Sequence, residues 1–252
     1  MRMRGIWLAL AGLAAWLGVG GAQAAEIKVL CSNGLREVML ELAPEFERAS
    51  GHKLNLTFGL AAAFKQKIEA GEPFDVVVLV PALLDDVVKQ GKVSGDTRAV
   101  IARAGNGLAI RAGAARPDIA TADAFNATLL NAKAIAYAKA GQSGVYFVGL
   151  LDRLGIADAM KAKILAQASG VEVGAAVQKG DAELGVLPVS EILPVKGVEL
   201  LGPFPAALQG YVVMEAGVGA AAKDHAAAAA LVKFLKSPEH SAVIKQKGME
   251  PG

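Results

Sequence analysis

Cysteine is almost missing from this chain: Cys31 stands alone among 252 residues, so no internal disulfide can form. Histidine is nearly as scarce, and His52, His225 and His240 are scattered without the spacing that metal ligation needs. Charge of one sign is lacking too, with 26 Lys and Arg against 24 Asp and Glu. That balance excludes the basic field by which nucleic acid is drawn to a surface, so no nucleic-acid partner is expected. Beyond the first two dozen residues no apolar run is long enough to cross a bilayer, and the chain is not expected to be membrane-embedded. No metal and no cofactor are expected. Recognition of an anion must come from a local site.

What is present begins with a leader pattern. Arg2 and Arg4 precede an apolar run from Ile6 to Val19, and Ala22-Gln23-Ala24 is a small-x-small cleavage signature. Residues 1–24 are read as a signal peptide that is cleaved on export to the periplasm. Without Arg2 and Arg4 the basic and acidic counts are equal, at 24 each. Lys28-Val29-Leu30 before Cys31 lacks the small residue of a lipid-attachment site, so Cys31 is read as a small buried side chain.

From Ile27 the chain alternates strand and helix. Ile27 to Cys31 reads as a buried strand, and Leu35, Val38, Met39, Leu42 and Phe46 share one helical face that Pro44 interrupts or bends. Leu54 to Phe58 and Phe74 to Val80 read as strands, with helices carrying Phe64 and Ile68 and then Leu83 to Gln90. The middle third repeats this order: strands at Gly107–Arg111, Ala134–Ala138, Glu183–Leu187 and Val198–Leu201, helices at Thr121–Leu130, after Gly144, and at Val171–Lys179. The tail returns with a strand at Gly210–Met214 and helices at His225–Leu235 and from Ser237-Pro238-Glu239, the last capped by Ser237. Such alternation predicts a parallel sheet covered on both faces. The expected fold is α/β, two Rossmann-like lobes joined by two crossovers with a cleft between them. Lobe 1 would hold residues 25–107 and 210–252, lobe 2 residues 108–209.

Four strand-to-helix turns are small and polar, and such turns aim free N–H groups and a positive dipole end at whatever lies beyond the strand. They put forward Ser32, Asn33 and Gly34; Ala61 and Ala62; Ser143 and Gly144; and Gly170 and Val171, with Pro188 closing a further strand. Arg36 and Lys65 lie in first helical turns, where a cation opposes the dipole unless an anion is near, and an Arg can grip a carboxylate with two parallel hydrogen bonds. Ser190-Glu191 follows Pro188 with no spacing that assigns it to the cleft.

The chain resembles the type II periplasmic solute-binding proteins, in particular the molybdate-binding branch. The resemblance is carried by Val29-Leu30-Cys31-Ser32-Asn33-Gly34-Leu35, Ile68-Glu69-Ala70-Gly71-Glu72-Pro73-Phe74-Asp75, Ser143-Gly144-Val145-Tyr146 and Gly180-Asp181-Ala182-Glu183-Leu184-Gly185-Val186. It implies a tetrahedral oxyanion held between the lobes by hydroxyls and backbone N–H groups. Three of the positions it assigns to ligands fall on Gly34, near Ala61 and on Pro188, which have no hydroxyl, while Ser143 and the Gly170 region keep donors. The pattern therefore points to an organic carboxylate rather than molybdate, bound by a monomer for an ABC permease. An aconitate isomerase on the same scaffold is the alternative, with Glu172 as its acid/base candidate; molybdate or tungstate capture and a sensor role are further readings.

Overall fold

The computed structural model describes residues 24–252, so the leader expectation lies outside the described residues. The elements in order are β1 (Glu26–Ser32), α1 (Arg36–Ser50), β2 (Lys53–Gly59), α2 (Ala61–Glu69), β3 (Val76–Leu79), α3 (Pro81–Lys89) and β4 (Ala99–Arg111). There follow α4 (Ala122–Asn131), β5 (Ile135–Ala138), α5 (Gln142–Arg153), α6 (Ala157–Met160), β6 (Ile164–Gln167), α7 (Gly170–Lys179), β7 (Leu184–Pro188), α8 (Val189–Ile192) and β8 (Val198–Pro203). The return segment is β9 (Tyr211–Val218), α9 (His225–Leu235), α10 (Ser241–Gln246) and β10 (Glu250–Pro251).

Strands β1, β2 and β3 pair in parallel, as do β5, β6 and β7. The whole is nevertheless a mixed sheet, ordered β2-β1-β3-β9-β4-β7-β5-β6, because β9 runs antiparallel to both β3 and β4. The all-parallel expectation fails there for a simple reason: a chain that leaves one half and comes back must cross in both directions. Strand β4 serves both halves. Its stretch Ala99–Gly105 pairs with β9, and Asn106 onward pairs with β7 and β8.

Two apolar cores flank this strand. Val29, Cys31, Val38, Met39, Leu42 and Met214 belong to one, and Leu108, Ile110, Phe125, Phe147 and Val186 to another. Each such side chain, fully removed from water, contributes roughly 1.5–3 kcal/mol. Pro44 sits inside α1 without ending it, since the inward face Val38, Met39, Leu42 and Phe46 offsets one missing hydrogen bond. Gly51 closes α1 with φ 76°, the left-handed conformation that suits glycine. The expected Ser237 cap is absent: its side chain makes no capping bond, and Pro238–His240 forms a 3-10 turn before α10. Strand β6 was not anticipated, for Ile164–Gln167 is only half-buried and lacks a period-2 pattern.

At the crossover the backbone is stapled by a side chain. Asn106 donates its N–H to Gln209 Oε1 at 2.8 Å, and Gln209 Nε2 donates back to the Asn106 carbonyl at 3.2 Å. The Gln209 amide thus stands in for one peptide unit where β4 changes partners.

Candidate functional site

The strand-to-helix turns converge on a cavity of about 60 Å³ between the two halves. Ser32, Asn33, Gly34, Ala61, Ala62, Ser143, Gly170 and Pro188 all line it, so eight of the expected positions meet at one place. Of the helix starts that face it, α2, after Leu60, and α5, after Gly141, have no capping side chain, whereas α7 is capped by Ser169. Helices α4 and α9 are instead capped by Thr121 and Asp224. Uncapped N–H groups need an acceptor, and those of α2 and α5 open onto the cavity.

The hydroxyls divide. Ser32 Oγ is spent on the Val78 carbonyl at 2.6 Å, whereas the buried Ser143 makes no side-chain hydrogen bond among the described residues. Ser143 is thus the free hydroxyl of the wall.

Four expected contacts fall elsewhere. Gly144 faces the backbone of β5, where a Cβ would collide with the Ala138 carbonyl oxygen; it is a packing glycine. Val171 is 70% exposed and lies on the outer side of α7. Lys65 reaches along α2 to Glu69 at 2.7 Å, with Asp86 at 3.6 Å, and the hydrogen bond to Glu69 raises its pKa further. Arg36 follows a 3-10 turn at Asn33–Leu35, which carries it past the cavity: its guanidinium lies 5.0 Å over the Phe58 ring and 3.8 Å from Glu37. Glu172 also has a local task, since its carboxylate accepts from Ala168 N at 3.0 Å while Ser169 accepts from Glu172 N, a capping box.

The residue that the sequence offered for the cleft without assigning it a role is Glu191. It is the one ionisable side chain lining the cavity among the described residues. Its Oε2 lies where a Cβ on Gly170 would collide with it, and its Oε1 lies 3.9 Å from the position of a Cβ on Gly34. Glycine at position 170 makes room for this carboxyl, while at Gly34 the glycine makes room for Met214. Among the described residues no hydrogen bond holds it, and burial pushes its pKa up to about 7. The only sequence signal was an acidic residue just past the Pro188 strand end. Beside it, Ser190 Oγ donates to the Gly34 carbonyl at 2.9 Å, fastening one half to the other. Met214 closes the floor, its terminal methyl filling the space above Gly34. Cys31 lies beneath, fully buried, and burial drives its thiol far above the ordinary range, which leaves it inert.

The family described as bacterial extracellular solute-binding protein matches residues 27–250. An aconitate isomerase of Pseudomonas sp is 32% identical over 231 residues, covering 89% of this chain and 87% of the relative. The molybdate-binding protein ModA of Azotobacter vinelandii is 30% identical over 256 aligned positions, with 95% and 97% covered. Among solved structures, the periplasmic molybdate-binding protein of Azotobacter vinelandii superposes with a TM-score of 0.75 at 20% identity, over 90% of this chain and 99% of that one. The bare helix ends around a closed cleft and the match over nearly the whole described chain agree, and this protein belongs to the bacterial extracellular solute-binding protein family, with the two-lobed α/β fold of type II periplasmic binding proteins.

Proposed function

We propose that this chain captures a small organic carboxylate in the cleft between its lobes, in the periplasm and as a monomer, and presents it to an ABC-type permease. The observation that carries this reading is Glu191 inside the cavity. A permanently charged dianion such as molybdate gains nothing from a neighbouring carboxyl that is ionised part of the time. A carboxylate ligand can share a proton with it in a short O–H···O pair, the strong kind of hydrogen bond. The wall supports the same choice: Ser143 is its free hydroxyl, and beside it stand the side-chain amides of Asn33 and Gln142 and the uncapped N–H groups at the starts of α2 and α5. Closure around the ligand would follow the crossovers at Asn106 and Gln209, with the Ser190–Gly34 bond as the fastening.

The test is thermal stabilisation of the mature protein by citrate and trans-aconitate against molybdate, tungstate and sulfate, because a ligand that binds only the folded state raises the melting temperature. A carboxylate is expected to shift the transition. A shift with molybdate alone overturns the reading.

A second reading, aconitate isomerisation on this scaffold, is favoured by the same Glu191 and by the 32% identity to an aconitate isomerase. It supposes that the captured carboxylate is also a substrate.

A further inference from the structure

The geometry points to Glu191 as the catalytic residue of an allylic isomerisation, the group that takes a proton from one carbon of a bound unsaturated carboxylate and returns it to another. This inference rests on the carboxylate reading above and assigns it a chemistry.

A carboxyl among anion donors serves capture only while it holds its proton; its ionised form repels the ligand and is the form that can act as a base. Here the one ionisable group of the cavity wall among the described residues is such a carboxyl, and the missing side chain of Gly170 leaves it space. Nothing among the described residues ties it down, unlike Glu172, whose carboxylate is bound to Ala168 N. Leu187, Pro188 and Met214 line the cavity with it and give it apolar neighbours. The other charged groups near it are Arg36 and Glu37, which line with Glu191 a neighbouring depression of about 420 Å³, and Lys247, which is paired with Glu41 at 3.1 Å. A base held near neutrality by burial is suited to moving a carbon-bound proton. The N–H groups at the starts of α2 and α5 are placed to stabilise the charge that spreads onto the substrate's carboxylates, as an oxyanion hole does.

The step balances without any other reagent. Ionised Glu191 takes a proton from the methylene carbon next to the double bond, so a C–H bond breaks and an O–H bond forms. The freed pair makes a new C=C, the old π pair moves to the far carbon, and that carbon takes the proton from Glu191. The double bond has moved by one carbon and the carboxylate is restored.

The experiment follows trans-aconitate to the cis isomer by proton NMR with wild type, Glu191→Gln and Glu191→Asp, and measures the melting shift that trans-aconitate causes in each. Wild type is expected to interconvert the isomers, with kcat/KM rising with pH to a plateau above about 7. Glu191→Gln, nearly identical in shape, should melt no lower than wild type without ligand and should still be stabilised by trans-aconitate, while losing about 10²–10⁴-fold in rate. Glu191→Asp should keep part of the rate. Turnover by Glu191→Gln within about tenfold of wild type overturns the assignment. Wild type that is stabilised by trans-aconitate without turning it over removes the proton transfer and leaves capture standing; no stabilisation at any pH removes both.

Discussion

Ser190 and Gly34 are joined by a 2.9 Å hydrogen bond in which the hydroxyl of α8 donates to the carbonyl of the turn before α1. Both partners are buried, and the bond runs beside Glu191 from one lobe to the other. Closure of the cleft is therefore supported by the protein itself, next to the group proposed to meet the ligand.

Replacing Ser190 by Ala removes that bond and leaves the Gly34 carbonyl without this donor. A hydrogen bond of this kind is worth about 0.5–1.5 kcal/mol. The expected result is weaker carboxylate binding by up to about tenfold, and a larger radius of gyration for the unliganded variant in solution scattering. An unchanged affinity and radius would show the contact to be incidental to closure.

The pH dependence of stability has a definite sign. The folded chain holds the Glu191 proton up to about 7, whereas the ordinary value is 4.5. Its burial therefore costs nothing below the ordinary value, and stability declines as pH rises from there to about 7, then levels. Allowing for partial exposure of the carboxyl, the loss is about 1–3 kcal/mol over that window. Glu47, Glu69 and Glu72 act oppositely at acid pH, because hydrogen bonds from Leu54 N, Lys65 and Lys28 respectively hold them below the usual range. Those effects are common to wild type and Glu191→Gln and cancel between them. The difference in melting temperature between the two, scanned from pH 4 to pH 8.5, should grow through this window in favour of the variant.

Gly144→Ala is expected to destabilise the fold rather than weaken binding. The added methyl meets the Ala138 carbonyl, a rigid backbone atom, and overpacking of this sort costs about 1–3 kcal/mol. A lower melting temperature with the ligand-induced shift preserved is the outcome that fits. Loss of the ligand shift with normal stability would return Gly144 to the site.

Much of this was legible in residues that act through their own backbone. The apolar runs of β1 and β3 and the small polar turns at Ser32, Ala61, Ser143 and Gly170 announced both the alternation and the cavity, because period and turn chemistry are local properties. Arg36 and Lys65 were misleading for a physical reason: a first-turn position does not fix where a long side chain points, and each found a partner on the outer surface. Glu191 was hidden for the opposite reason. Its environment is made by Gly34, Gly170 and Met214, which are distant in sequence and meet only in the folded chain.

Gln209→Ala tests the crossover. It removes the bonds to the Asn106 N–H at 2.8 Å and to its carbonyl at 3.2 Å; the backbone keeps only the bonds between Asn106 N and Gly210 O and between Phe204 N and Asn106 O. A loss of about 1–3 kcal/mol in unfolding free energy is expected. Faster amide exchange at Gly105–Gly107 should accompany it. Stability within a few tenths of a kcal/mol of wild type would mean that water replaces the amide without penalty.

Strand β4, shared by both lobes, also acts as a gauge of length. Leu108 and Ile110 point into one core while Ala109, between them, packs into another beside the space of Gly185. One residue inserted between Gly105 and Asn106 would put every later side chain of the strand out of phase, driving Leu and Ile into a slot sized for alanine. The hinge is therefore a part without slack. From Asn106 to Arg111 its residue count is fixed by the cores on its two faces.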